Sequence, residues 1–543
     1  MARALPTKVK STLLHVRQKN GETYVFEKKA LYDPEKKCAR AQGVRLIGKI
    51  LPGQTEMVPI KTPTPDDNEN SLHRGVSVTD VCPPAASMKI AGSTALLMMA
   101  AKTSTIVSDL RSVFGAQNTD AILSFAFFSL LEDSSIADFN AWAEAHEHPF
   151  GKTLSDADQK ALSATLYDTK LIDAFFQARL KRTEGEDLIV YLSSVERQVS
   201  DSKQSSPEIS VFKSVDSGLP VALKRVKLPL NTYTFEDLLS SCRVRPSVTL
   251  VANESRAEKV NFLNLHRCGL SFVIPVSLDL KSVNEAWNEY KDFYGDERYC
   301  LREPDTYARS VPVALAVNQE TGQIIDTKVS ADTMETLHGY LHFFKSAKRS
   351  EEEVHDFYSQ LQQFEEAWLT GKRDEKSPLL KFFKGPPAKE ASVPLERDRD
   401  EIHRALLTKG CLALLTNRDL NAEEALRLYE GIDMVNLCFA KKPIESIEDR
   451  RREVSKAVTA SEFIHFVSYT ILNELIERLR EGENCGFSDN EKLSVCDILR
   501  KFEDIRLIRV LNYPARFGKI TEEERRVADW LGFPTLFDSV PFA

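Results

Sequence analysis

Hydrophobic and polar positions change their period several times along the chain, and each change marks a predicted boundary. Residues 1–62 contain short alternating runs, with strands expected at 23–27 and 44–50, which predicts a small β meander. Residues 63–90 are rich in Pro, Asp and Asn with weak periodicity, which indicates a linker. From 91 to 182 the apolar residues recur at helical spacing, so this segment is predicted to be an all-helical DNA-binding or dimerisation domain.

A mixed α/β region follows residue 182. Residues 188–192 form an almost continuous apolar run, which is typical of a strand buried on both faces. Next come two alternating segments and a helix. They are followed by a buried strand at 248–252, a second helix and a strand at 270–276. The predicted order of elements over residues 183–276 is therefore βββαβαβ.

The chain beyond residue 276 is expected to interrupt this pattern and then resume it. Residues 277–405 are predicted to be a β-rich insertion domain, with strands at 311–317 and 324–329 and a long helix at 351–369. Within residues 406–482 we expect a strand and two long helices. Residues 483–543 are predicted to be a helical tail.

Composition narrows the class of protein. The longest apolar stretch, residues 91–101, is about half of the ~20 residues that a bilayer span needs, so we expect no membrane contact. The first residues are basic but lack the apolar run of a secretory signal. The 9 cysteines are scattered without a CxxC pair, which favours a reducing compartment and argues against disulfides and a zinc site. A cytoplasmic location is expected.

Charge is unevenly distributed. The net charge is −8, yet residues 1–61 carry 13 Lys and Arg against 5 Asp and Glu. Such asymmetry is a known indication of nucleic-acid contact, and it is equally compatible with the ordinary basic surface of a small β module. Both interpretations stay open at the level of sequence.

Four short sequence motifs, called phrases below, follow one another along the mixed region. A fifth lies in the basic N-terminal segment. The four begin with a Gly-Leu-Pro turn and end in the helix expected near residue 430. The residues that carry the phrases are Leu46, Ile47, Gly48, Lys49 and Ile50; Asp216, Gly218, Leu219 and Pro220; Pro229, Asn231 and Thr232; Val251, Asn253, Asn261, Leu265, Gly269 and Phe272; and Tyr429, Ile432, Asn436 and Pro443.

Together with the order of elements, these phrases resemble the bacterial insertion-sequence DDE transposases. The resemblance implies an α/β multi-domain protein with a ribonuclease H-like mixed sheet core, split by the β-rich insertion into residues 183–276 and 406–482. It further implies duplex DNA as the partner, a homodimer or larger complex, and a nucleoid-associated location in a bacterial cytoplasm.

The resemblance also identifies three positions that should carry catalytic carboxylates, and none of them does. Leu192, Asn253 and Asn436 stand there. Transposases of this family use two Mg²⁺ ions, which require hard, anionic oxygen ligands. A leucine offers no ligand, and an amide oxygen is neutral. We therefore expect no metal, no cofactor, and loss of DNA cleavage and strand transfer.

Two alternatives remain. Glu196, Glu254 and Asp433 lie near the three positions, and an active transposase could use these displaced acids with two Mg²⁺ ions. The chain could also be a structural or interaction protein that no longer binds nucleic acid.

The basic and histidine residues supply the remaining candidates. Two histidine pairs, 146/148 and 338/342, have spacings found in metal sites, the second that of a helical site, although packing roles are favoured. The residues expected to contact DNA are Lys28, Lys29, Arg40, Arg45, Lys49, Arg256, Lys441, Lys442, Arg450 and Arg451.

Overall fold

The chain forms two compact units, Met1–Ala86 and Ser87–Ala543. The computed structural model describes the strands at 9–17, 23–33, 38–50 and 58–59, residues 87–132, 138–194, 208–227, 245–253, 260–301, 305–325, 334–370, 376–384, 395–439, 458–484, 494–510 and 513–542, and positions 230, 234, 239, 240 and 257.

The first unit contains a four-stranded antiparallel sheet in which each strand pairs with the next one along the chain. The predicted meander is thereby confirmed, and the predicted strands lie within the second and third. Val25 is buried. The strands are β1 (Val9–Arg17), β2 (Thr23–Asp33), β3 (Cys38–Ile50) and β4 (Val58–Pro59).

The second unit begins with the helices that the periodicity predicts. Their apolar faces share one aromatic core, in which Phe175 packs against Phe114 and Phe463. The fourth helix begins after Ser155, which forms a reciprocal capping box with Asp158. These helices are α1 (Gly92–Thr103), α2 (Ile106–Leu131), α3 (Phe139–Ala145), α4 (Asp156–Leu166) and α5 (Thr169–Arg182).

A buried ionic cluster ties this helical layer to the strand that begins at Pro220. Asp109 on α2 accepts hydrogen bonds from Arg179 and Arg182 on α5, at 2.8 and 2.6 Å. Arg179 is fully buried, and its Nε also donates to the Pro220 carbonyl at 2.8 Å. Burial lowers the pKa of Arg179 to about 10, although the adjacent Asp109 carboxylate favours the charged form.

An eight-stranded mixed sheet forms the centre of the second unit. Its order is β11-β12-β13-β10-β9-β6-β7-β8, with β6, β9 and β10 mutually parallel and the other pairs antiparallel. The strands are β6 (Leu188–Ser194), β7 (Glu208–Ser214), β8 (Pro220–Val226), β9 (Val248–Ala252), β10 (Ser271–Pro275), β11 (Thr306–Asn318), β12 (Met334–Ser346) and β13 (Cys411–Thr416).

Helices cover both faces of this sheet, and strand alternation separates the two faces. Lys213 on β7 and Arg225 on β8 reach the same helix, pairing with Glu477 and Glu462. Phe272 on β10 points the other way and contacts Phe262 in T-shaped geometry. The helices after β9 are α6 (Phe262–Arg267), α7 (Lys281–Tyr290), α8 (Ala347–Leu369), α9 (Arg399–Leu407), α10 (Ala422–Phe439) and α11 (Ala460–Asn484).

The insertion contributes two long strands to the central sheet. Its long hairpin, β11 and β12, pairs through β13 with β10 and so extends the central sheet. The predicted strand at 311–317 grows to thirteen residues, because its antiparallel partner offers a full ladder. Of the predicted strand at 324–329, Ile324 forms a bridge with Val317, and residues 326–329 lie outside the described part.

The prediction of a purely helical tail is wrong, because the tail also contains two short strands. The predicted linker ends too late, because its last four residues form a strand. Ser87–Ile90 forms strand β5, which pairs with β14 (Arg506–Arg509), and β14 pairs with β15 (Arg516–Phe517). Strands of two to four residues are too short to show a period, so the pattern gave no signal. Helices α12 (Val495–Phe502) and α13 (Glu522–Trp530) complete the tail. No helix among the described residues combines the length and apolar content that a membrane crossing needs.

Neither histidine pair lies on a single helix, as a helical metal site would require. His338 and His342 lie on strand β12, where residues four apart are separated by about 13 Å. His342 is buried, with Nδ1 at 2.7 Å from the Ser310 hydroxyl. His148 is buried with Nδ1 at 3.0 Å from the Ser124 hydroxyl. Burial lowers the pKa of both His148 and His342 to about 4.

These two histidines should make the fold sensitive to acid. Their folded pKa values lie below the ordinary 6.5, so between pH 6.5 and about 4 the unfolded chain binds protons that the folded chain does not. Stability should fall as pH drops through this window, by at most about 1.4 kcal/mol per pH unit for each histidine. His148→Gln and His342→Gln should flatten the slope of unfolding free energy against pH, measured by denaturant titration. His338→Gln, on the same strand as His342 but exposed, is the control; an equal effect there would contradict the assignment.

Candidate functional site

Helix α10 and strand β6 meet at the carboxyl end of the strand. The Ser193 hydroxyl donates a hydrogen bond of 2.6 Å to the Asn436 side-chain oxygen. Ser193 is buried, whereas Asn436 is partly exposed. The bond joins residues 243 positions apart, so it fixes the helix against one defined point of the sheet.

Asn253 lies beside this pair. In the parallel register of β6 and β9, Leu192 is opposite Ala252, and Asn253 is the next residue after β9. Continuing the register by one residue places Asn253 next to Ser193, on the same side of the sheet. The Asn253 carbonyl accepts a hydrogen bond of 3.1 Å from the Ala257 amide. Ser193, Asn253 and Asn436 together are called the Ser193 site below.

Leu192, the position expected from the sequence, is not part of this group. It is fully buried between Ser210 and Ala252, and alternation directs its side chain to the opposite face from Ser193. A shift of one residue exchanges the faces of a strand, and a continuous apolar run does not show which face is which. The available signal was the change from apolar residues to Ser193 and Ser194 at the end of the run.

A close approach of α10 to β6 holds the site together. Gly431 packs directly on the Tyr191 hydroxyl, and a methyl group on Gly431 would overlap it. Tyr191 is buried and lies two residues before Ser193 on the same face. Burial raises the pKa of the Tyr191 hydroxyl above its usual range, so the group stays neutral. The helix can therefore approach the strand closely only because residue 431 has no side chain.

Charged groups lie further from the carboxyl end of β6, on the face of the sheet that also carries Tyr191 and Ser193. Lys213 pairs with Glu477 on α11 at 2.8 Å, and Arg480 is 3.4 Å from the same carboxylate. Burial lowers the pKa of Lys213, while Glu477 opposes that shift. The carboxylate is thus engaged by two cations, in a cluster where Lys213 is largely buried and Glu477 and Arg480 are partly exposed.

The chemistry of the Ser193 site is that of neutral hydrogen-bonding groups. One hydroxyl and two amides can orient a polar partner, but they supply no negative charge to a cation. Within the described part of the chain, no three His, Cys, Asp or Glu side chains cluster as a metal site would require. The residues in place do not fit two divalent cations.

Of the three displaced acids, only Asp433 belongs to the described part of the chain. Glu196 and Glu254 lie outside the described residues. Asp433 is exposed on α10, three residues before Asn436. The use of these acids therefore stays a prediction.

The expected DNA-contacting residues fall into two groups. Lys28 and Lys29 lie on β2, and Arg40, Arg45 and Lys49 lie on β3 of the N-terminal sheet; their side chains are outside the described part. The others, Arg256, Lys441, Lys442, Arg450 and Arg451, lie outside the described residues, as does Pro443. Ile432, at a position where the family has a basic residue, is fully buried.

No protein-family model and no curated protein matches the chain. The family resemblance therefore depends on the ordered phrases of the sequence.

Gly431→Ala should destabilise the protein. Helix propensity favours alanine by about 1 kcal/mol, but the new methyl group would overlap the Tyr191 hydroxyl, which places the overpacking cost near the upper end of roughly 1–3 kcal/mol, so we expect a net loss of about 1–2 kcal/mol. Denaturant unfolding measures the loss. Tyr191→Phe removes the hydroxyl nearest to the new methyl group, so Tyr191→Phe/Gly431→Ala should recover part of it. If Gly431→Ala were as stable as the parent, the contact would not limit the approach of the helix.

Proposed function

We propose that the protein is a transposase-like DNA-binding protein with a ribonuclease H-like core that has lost DNA cleavage and strand transfer. The observation that carries the proposal is the convergence of the Ser193 site. Asn253 and Asn436 were expected at two catalytic positions, and they lie with Ser193 where two parallel strands end and one long helix crosses them. Its partner would be duplex DNA in a bacterial cytoplasm, bound as a homodimer or within a larger complex.

The order of elements supports the same proposal. Strands β6, β7 and β8 form consecutive antiparallel pairs, and β9, α6 and β10 follow, with β9 inserted beside β6 in parallel. The long insertion separates these strands from α10, which supplies Asn436. This is the arrangement that the family resemblance implies for the core.

Loss of chemistry follows from the charges at the site. Two Mg²⁺ ions need carboxylates that bind and partly neutralise them, because Mg²⁺ gives up its water reluctantly. Ser193, Asn253 and Asn436 together contribute no charge. A neutral site can still hydrogen-bond to DNA, but it cannot activate a water or hydroxyl for attack on a phosphodiester.

The first test measures binding and cleavage with the full chain. We expect it to bind labelled duplex DNA with an affinity that falls as salt rises, because phosphate contacts release counterions. Incubation with supercoiled plasmid and Mg²⁺ or Mn²⁺ should give no nicking. Nicking that disappears in Glu254→Gln and Asp433→Asn variants would favour the active transposase with displaced acids, and an absence of DNA binding would favour an interaction protein.

The second test rebuilds the site. The triple variant S193D/N253D/N436E should gain Mn²⁺ binding, because three carboxylates would then converge, and calorimetric titration with Mn²⁺ alone measures this. The matched control is L192D/N253D/N436E, which carries the same added charge but directs one carboxylate to the opposite face. Equal Mn²⁺ affinity in both variants would show that the assignment of Ser193 is wrong.

A further inference from the structure

The small C-terminal sheet presents one face to solvent. In its register Met88 lies opposite Ile508, and Ile508 lies opposite Arg516. The neighbouring row contains Ile90 opposite Arg506. We call the side formed by Met88, Ile90, Arg506, Ile508 and Arg516 the C-terminal face.

The two sides of this sheet differ sharply in burial. On the inner side Leu507 is buried, and Phe517 contacts Phe537 at 5.5 Å between ring centroids. On the C-terminal face Met88 is 67% exposed and Ile508 37% exposed. Beyond the end of β14, in the connection to β15, Tyr513 is 71% exposed. Met88 and Ile508 thus present apolar side chains to solvent on this face, while Ile90 is half-buried.

The charges on this face are not neutralised by the fold. Neither Arg506 nor Arg516 forms an ion pair with a described residue. The nearest acids in sequence are Asp504 for Arg506 and Glu522 for Arg516, and both are exposed. In contrast, Arg509, which points to the inner side, pairs with Glu147. The face therefore offers an external anion the exposed Arg516 guanidinium and, beside it, the half-buried Arg506.

We propose that the C-terminal face contacts the phosphate backbone of duplex DNA. The chain as a whole is acidic, with a net charge of −8, so two unpaired arginines beside exposed apolar groups define a local site of opposite sign. Guanidinium groups bind phosphate oxygens in a bidentate manner, and duplex DNA carries about one negative charge per 1.7 Å of its axis. The exposed Tyr513 ring adds a flat amphipathic contact beside the sugars.

The size of the face favours DNA over a second copy of the chain. Five residues and one adjacent tyrosine are far fewer than the roughly 20–30 residues per side that a stable protein interface uses. A phosphate contact needs no such area, because charge supplies most of its affinity. The C-terminal face lies outside the Ser193 site and the N-terminal basic strands, so this contact is an addition to the proposed function.

The experiment compares three forms of the full chain in a salt series. With a short fluorescein-labelled duplex, R506Q/R516Q should bind roughly 10-fold more weakly at low salt, and its slope of log K against log salt should be shallower by about one per arginine. Tyr513→Ser should weaken binding without changing that slope. Arg516 and Tyr513 are exposed and Arg506 is half-buried, so unchanged thermal unfolding of both variants is required to check that the fold is intact.

R525Q/R526Q is the matched control, because it removes the same charge from exposed positions on α13. Its affinity and salt slope should equal those of the parent. Equal weakening in both double variants, or parental binding by R506Q/R516Q, would overturn the contact while leaving DNA binding intact. Failure of the parent to bind would overturn both the contact and the proposed function. If R506Q/R516Q changed the mass of the protein measured by sedimentation but not its DNA affinity, the face would be a contact between copies of the chain. That result would overturn the proposal.

Discussion

The close contact between helix α10 and strand β6 sets the geometry of the second unit. A buried tyrosine and a glycine allow the helix to lie directly on the sheet, and Asn436 reaches Ser193 five residues further along the helix. The sheet is wide because the insertion adds β11 and β12 to it, yet α10 crosses near its centre. If this contact were looser, the end of β9 and the helix would no longer share a site.

A second constraint comes from buried charge. Asp109 with Arg179 and Arg182, and Arg225 with Glu462, connect the helical layer to the strands of the hairpin side. Such clusters contribute less to net stability than their Coulomb attraction suggests, since desolvation opposes it. Removing one partner, however, leaves an uncompensated buried charge, so these contacts specify how the layers pack.

The sequence predicts most of the helices and strands because their periods are long and regular. The strand at 248–252 has the bounds that the pattern predicts, and the helix expected near residue 430 extends from 422 to 439. Three features could not be obtained in this way. The face of β6 is ambiguous within an apolar run, so the sequence does not show that Leu192 and Ser193 lie on opposite faces. Pairing of the insertion with the central sheet is a long-range contact that leaves no local period. The strands of the C-terminal sheet are too short to have one.

Under the proposed function, the neutral character of the Ser193 site has a consequence for its history. Three carboxylates crowded at one point repel one another unless cations lie between them, so a metal-binding ancestor would carry a local repulsion that this chain lacks. A hydrogen bond now joins two of the positions. A single acid at position 253 or 436 would add a partly buried charge without assembling a cation site. Under the proposed function, each step back to an acid is therefore unfavourable by itself, and the change behaves as an evolutionary ratchet.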